Sequence, residues 1–131
     1  MTKLFLDDQR DPPDSSWHVV RSYDAFIKFI IDNGVPDVIS FDHDLAFEHY
    51  PFAEQNPTQT IPYDRYTEKT GYHAAKWLID FIRGSIYEGE KPRHIIIHTL
   101  NIIGRQNIQH LFSKEHVHLI IAPYPLNNKF K

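Results

Sequence analysis

A chain of 131 residues, 41% hydrophobic and 14% aromatic, is long enough to bury a core as one domain. Its net charge of −3 and pI of about 6.3 argue against a broad phosphate-backbone footprint, but allow a small phosphorylated ligand or the end of a nucleic acid. Cysteine is absent, which excludes disulfides and thiolate metal sites; no apolar run approaches a membrane span, so the expectation is a soluble, cytoplasmic protein.

In chain order, Leu4-Phe5-Leu6 reads as a short strand running straight into Asp7-Asp8-Gln9-Arg10. Gln9 to Ser16 is turn-rich, and its two adjacent prolines forbid a normal helix. Trp17 to Arg21 then reads as a second strand. The eight intervening residues are short for a helical crossover, yet extended at about 3.3 Å each they reach roughly 26 Å, enough to return along a short strand. A parallel arrangement therefore survives with the first helix shrunk to a loop. Ser22 is placed as the N-cap of a helix over Tyr23 to Asn33, with Ala25, Phe26, Phe29 and Ile30 on one face. Asn33-Gly34 caps its end, and Pro36 forbids continuation.

Val38-Ile39-Ser40-Phe41 has the length and β-branching of a buried strand, and it opens into Asp42-His43-Asp44. Charged residues just past the carboxyl end of a buried strand are where open α/β sheets place their ligands. If the first and third strands are neighbours, the carboxylates of Asp7, Asp8, Asp42 and Asp44 converge at one sheet edge. Each raises the pKa of the next, and a hard divalent cation bound through oxygen, Mg2+ or Mn2+, is the usual remedy. Asp7, Asp8 and Asp42 are the metal candidates. Alternation sends Asp42 and Asp44 to one side and His43 to the other. His43 reads either as a structural hydrogen-bonding residue or, with Asp44 beside it, as a proton-transfer group.

Ala46 to Lys69 has no periodicity, three prolines, and the aromatics Phe47, Tyr50, Phe52, Tyr63 and Tyr66. A loop of this length suggests an ordered lid over the acidic edge. Thr70 caps a helix from Gly71 to about Arg83, with Ala74, Trp77, Leu78, Phe81 and Ile82 toward the sheet. His94 to Thr99 contains Ile95-Ile96-Ile97, a further buried strand ending in polar residues. His98 reads either as a satisfied core histidine or as a second proton donor. A helix from about Ile103 to Ser113 follows. Gly104 in its first turn permits close backbone approach to phosphate; Asn101 binds ligand or caps locally. Arg10 offers a guanidinium fork to phosphate, or pairs with one of the acids. His118 to Ala122 is the last strand, before a Pro- and Asn-rich tail. His18, His49, His94, His110 and His116 fall in loops or near element ends and read as surface residues.

The alternation of strands and helices is that of a single doubly wound α/β domain with five parallel strands. It resembles a response-regulator receiver domain, with Asp7 and Asp8 after strand one, Asp42 or Asp44 after strand three, and Thr99 near the hydroxyl residue after strand four. Receivers carry a lysine after strand five, where this chain has Ala122-Pro123. The whole chain is more similar to the cyclic-phosphate-processing receiver-like family. That resemblance rests on Leu4-Phe5-Leu6-Asp7-Asp8-Gln9-Arg10, Ile39-Ser40-Phe41-Asp42-His43-Asp44-Leu45, Thr70-Gly71 before Trp77-Leu78, and His98-Thr99-Leu100-Asn101-Ile102-Ile103-Gly104 with Asn107. It implies strand order 2-1-3-4-5 and a metal-dependent phosphoesterase of cyclic phosphodiesters, such as a 2′,3′-cyclic phosphate on a nucleotide or RNA end. In that reading His43 or His98 protonates the departing oxygen, while Arg10, Thr99, Asn101 and Gly104 steady the substrate. Two other readings stand beside it: a receiver phosphorylated on Asp42 or Asp44, and a non-catalytic adaptor using the same surface.

Overall fold

Residues 1–46, 49, 61–84 and 91–125 are described in a computed structural model of the chain. Five strands, β1 (Lys3–Leu6), β2 (Trp17–Val20), β3 (Val38–Phe41), β4 (His94–Ile97) and β5 (His118–Ile121), form one sheet. All pairs are parallel, in the order β2-β1-β3-β4-β5. Three helices accompany them: α1 (Tyr23–Asn33), α2 (Gly71–Gly84) and α3 (Ile102–Phe112). The expected order and element sequence are therefore present. Of the proposed lid, residues 47–48 and 50–60 lie outside the described residues, which leaves Ala46, His49 and residues 61–69 to be placed. Among the described residues no helix is long and apolar enough to cross a membrane.

The sheet order decides where the helices go. The steps β2 to β3, β3 to β4 and β4 to β5 all advance the same way across the sheet. Right-handed crossovers then put α1, α2 and α3 on one face. The core follows this division. Leu4, Leu6, Ile39, Phe41, Ile95 and Ile97 point to the side where Phe26 and Ile30 of α1, Leu78 of α2, and Ile108 and Phe112 of α3 are buried. The opposite face carries Phe5, Trp17, Val38 and Ile96, packed against Ile120, Ala122 and Tyr124. Only the step β1 to β2 runs the other way, and no helix makes it. Arg21 instead holds that short connection by donating to the carbonyls of Asp7 and Arg10 and pairing with Asp11.

Local chemistry sets the helix ends. Ser22 accepts from the Ala25 N–H at 3.1 Å, and Gly34 ends α1 at φ 86°, a left-handed conformation that glycine adopts without a Cβ clash. At α2 the cap is unusual: His73 Nδ1 accepts the Thr70 N–H at 2.9 Å, in the place a capping-box glutamate would take. Asn101 caps α3 by accepting from the Gly104 N–H at 2.9 Å. The strand registers matter most for function. Leu6 lies opposite Phe41, and Phe41 opposite Ile97, so the next residues, Asp7, Asp42 and His98, leave the sheet in one row.

Candidate metal centre and the histidine network beside it

The connections from β1 and β3 depart in opposite directions, which leaves a crevice at their carboxyl ends. Asp7, Asp42 and His98 meet there. Each presents one ligand atom within 4.8 Å of the others, and all three side chains are buried. Among the described residues this is the one group of its kind.

The two carboxylates are held differently. Asp7 Oδ1 accepts the N–H groups of Gln9 (3.0 Å) and Arg10 (2.8 Å), and Oδ2 accepts from His98 Nε2 at 3.0 Å. Burial pushes the Asp7 carboxyl up, but these donors outweigh it and leave its pKa below the ordinary value. Asp42 has fewer donors, the His43 N–H at 2.8 Å and the Thr99 hydroxyl. Burial, followed by the charge of Asp7, pushes it up to about 8. One carboxylate is thus fixed as an anion, and the other sits beside it against its electrostatic preference. Two adjacent buried carboxylates with an imidazole nitrogen in reach are a donor set that fits a divalent cation.

His98 is fully buried. A carboxylate only accepts, so Nε2 carries the proton toward Asp7, and Nδ1 accepts from Ser40 Oγ at 2.7 Å. Its ring stacks on Phe5 at 4.4 Å and 5°. Burial holds its pKa below the ordinary value despite Asp7, so the ring stays neutral. That combines both readings of this residue: it is a satisfied core histidine, and it belongs to the site.

A second network lies alongside. His43 Nδ1 meets Asp44 Oδ1 at 2.7 Å, and Nε2 meets the Tyr63 hydroxyl at 2.8 Å. Asn101 Nδ2 donates to the same Asp44 oxygen at 3.1 Å, and Asn107 Nδ2 donates to the Tyr63 hydroxyl at 2.9 Å. The expected alternation of Asp42 and Asp44 against His43 does not hold. β3 ends at Phe41, so the pleat stops before these residues; Asp42 turns to Asp7 while His43 and Asp44 bond to each other. Glycines make the fit possible. A Cβ on Gly104 would lie 2.4 Å from His43 Cγ, and one on Gly71 would lie 1.7 Å from the Asp42 carbonyl oxygen. The Gly104 N–H, expected to face phosphate, is taken by Asn101.

The remaining expected site residues lie close by. Asp8 is half-buried next to Asp7 but is not one of the three converging groups. Arg10 places its guanidinium 5.2 Å from the Tyr124 ring centroid and, among the described residues, forms no ion pair with the acids. Thr99 and Asn101 are buried; the Thr99 hydroxyl bonds Asp42 and accepts the Asn101 N–H at 3.1 Å. Three participants carried no site assignment in the sequence. Ser40 was hidden in an apolar run, although a polar residue in a strand buried on both faces is itself a signal. Tyr63 stood out only as a loop aromatic. His49 corrects the surface reading outright: it is 1% exposed, accepts the Leu45 N–H on Nδ1 at 2.8 Å, and donates from Nε2 to the Glu68 carbonyl at 2.8 Å.

No curated protein and no solved structure matches the chain. The family model described as the cyclic-phosphate processing receiver domain matches residues 2–114, a span running from β1 through α3 and including every member of both networks. Since the sheet order and the acidic edge agree with that match over most of its length, the chain belongs to the family of cyclic-phosphate processing receiver domains.

Proposed function

We propose that the protein is a metal-dependent phosphoesterase that opens cyclic phosphodiesters, with a 2′,3′-cyclic phosphate on a nucleotide or RNA end as the substrate class. The observation that carries this reading is the unequal pair Asp7 and Asp42, one stabilised as an anion and the other pushed up to about 8 beside it. Asp7, Asp42 and His98 would hold the cation, His98 through Nε2 once its proton has shifted to Nδ1, where it donates to Ser40 Oγ, with Asp8 close enough in sequence to add a ligand through water. Bound there, a divalent cation neutralises phosphate charge and polarises an attacking water. The nitrogen donor of His98 favours Mn2+ over the strictly oxygen-seeking Mg2+.

The chain's own groups have separate tasks. Arg10, exposed enough to reach outward, takes a phosphate oxygen through its guanidinium. Thr99 and Asn101 stand behind the site and fix Asp42 and Asp44, and Gly104 gives the His43 ring its room. The His43–Asp44 pair holds a proton for the departing ring oxygen. A net charge of −3 suits a compact substrate rather than a long backbone. The test is a turnover screen of 2′,3′-cyclic, 3′,5′-cyclic and linear phosphodiesters in chelator, Mg2+ and Mn2+. Expected is hydrolysis of the 2′,3′-cyclic compounds only with metal, fastest with Mn2+. Labelling of Asp42 by a small phosphodonor without any diester turnover would replace this reading with that of a phosphoacceptor.

A further inference from the structure

We infer that Tyr124 positions the Arg10 guanidinium beside the metal centre as a receptor for a substrate phosphate oxygen; this rests on the phosphoesterase reading above. Tyr124 is a positioning residue: it holds the cation and leaves the phosphate to Arg10. It lies beyond residue 114, where the family match ends, so that match assigns it no part.

Both partners are tied through their backbones to residues of the cluster. The Arg10 N–H donates to Asp7 Oδ1 at 2.8 Å, and Arg21 donates to the Arg10 carbonyl. The Tyr124 N–H donates to the His98 carbonyl at 2.9 Å, just after the Ala122 N–H has donated to the Ile97 carbonyl at 3.1 Å. Asp7 and His98 themselves meet at 3.0 Å, so the two anchors end at one crevice. The Tyr124 ring packs against the cluster of Phe5 and Ile96, on the face opposite the helices, and lies 6.4 Å from the His98 ring. Arg10 reaches over it, with the guanidinium carbon 5.2 Å from the ring centroid.

The kind of hold matters. An aromatic face attracts a cation through its quadrupole, but it has no lone pair to take an N–H in the way a carboxylate does. A guanidinium resting there keeps its charge and its donors for a ligand. Among the described residues the Arg10 side chain has no ion-pair or hydrogen-bond acceptor, although Asp7 and Asp8 closely precede it in the chain. Arginine beside carboxylates normally folds onto one of them, and a phosphate would then have to displace it. The Tyr124 ring supplies another resting place. The cation also stays within electrostatic reach of the crevice. Burial first, and then the Arg10 charge, push the His98 ring below its ordinary pKa. A phosphate at the metal centre brings the oxygen acceptors that the guanidinium fork lacks.

The test is a double-mutant cycle of Tyr124→Met and Arg10→Ala, with Tyr124→Phe as the conservative variant. The readout is kcat and KM on a 2′,3′-cyclic nucleotide in Mn2+. A cation–π contact of this kind converts to roughly 3- to 30-fold. Tyr124→Met should lower kcat/KM by that factor, and Tyr124→Phe should stay close to wild type. In the Arg10→Ala background, Tyr124→Met should cost nothing further. A packing role alone would lower the melting temperature without depending on Arg10. No loss in Tyr124→Met, the same loss with and without Arg10, or equal impairment in Tyr124→Phe would overturn the inference while the phosphoesterase reading stands. If Tyr124→Met melts well below wild type, phenylalanine and pentafluorophenylalanine at position 124 decide instead. Their shapes are alike, but fluorination removes the negative ring face. A loss confined to the fluorinated protein supports the contact, and equal activity overturns it. Wild-type protein inactive on the nucleotide would remove the phosphoesterase reading. The same cycle is then read on the affinity of the Mn2+-loaded protein for inorganic phosphate. A Tyr124→Met loss that vanishes without Arg10 upholds the inference there, and additive losses or no binding overturn it too.

Discussion

Asp7 and Asp42 carry the same carboxyl group on neighbouring strands, yet they end on opposite sides of the ordinary carboxylate pKa. The difference is a matter of donors. Asp7 collects two backbone N–H groups and an imidazole N–H, whereas Asp42 has one N–H and one hydroxyl and feels the charge of Asp7. Asp42→Asn keeps the side-chain shape and removes the unfavourable charge together with one strong oxygen ligand. In chelator near pH 8 the variant is therefore expected to melt at or above the wild-type temperature. Saturating Mn2+ should raise the wild-type midpoint, by the equivalent of about 2.7 kcal/mol at a hundred times Kd, and the variant's far less. Differential scanning fluorimetry measures both; an equal response in the two proteins would remove Asp42 from the metal site. At this scale the sequence was informative where a residue type had no bland explanation, as for carboxylates closing an apolar strand. It was silent where the structural role is generic. His49 satisfies backbone groups on both sides of a long connection, at Leu45 and at Glu68, and nothing in the spacing of a loop histidine announces that.

The elements were legible because each begins or ends on a chemical signal that acts locally. The Ser22 cap and the Gly34 stop bound α1 where the sequence placed them, and the apolar runs of β1, β3 and β4 are buried along both faces of the sheet. What could not be read was how close the helix starts come to the strand ends. Gly71 donates its N–H to the His43 carbonyl at 2.8 Å, and Gly104 lies against the His43 ring, so α2 and α3 grip the turn after β3 from two sides. A helix cap and a packing requirement coincide at Gly104, and only the cap has a sequence signature. Gly104→Ala sets two effects against each other. Helix propensity favours alanine by about 1 kcal/mol, while forcing a methyl into a filled site typically costs about 1–3 kcal/mol. The 2.4 Å approach is to a ring held at both nitrogens, not to a flexible side-chain end, so the clash should win. The expected outcome is a lower melting temperature together with a perturbed His43 ring signal in the NMR spectrum. Gly84→Ala is the control, since a Cβ there meets nothing within 4 Å and should be neutral or stabilising. If both variants melt alike, the packing of α3 on His43 is looser than the geometry indicates.

For the molecule as a whole, these local shifts sum to a pH dependence of stability whose sign can be worked out. Asp42 is raised to about 8 in the folded protein, so the native state keeps a proton that the unfolded chain has already released, and stability falls as pH rises toward 8. His73, lowered to about 4, and His98, also lowered, act oppositely. The unfolded chain binds their protons below the ordinary value of 6.5, so stability rises with pH up to that point and is level beyond it. Asp7, lowered below 3.8, matters only in acid. Between about pH 6.5 and 8, Asp42 alone among these four changes its proton. In chelator the melting temperature should therefore decline across that window. The limiting slope is about 1.4 kcal/mol per pH unit, or several degrees for a domain of this size. A cation at the site competes with that proton and holds Asp42 ionised in the folded state. Saturating Mn2+ should accordingly flatten the decline, so that the stabilisation by metal grows with pH. Asp42→Asn should be flat with and without metal. Melting curves at half-unit steps from pH 6.5 to 8 measure all of this at once. A wild-type midpoint that stays level in chelator would mean that Asp42 ionises beside Asp7 unaided, and the electrostatic reason for a cation at this edge would be gone.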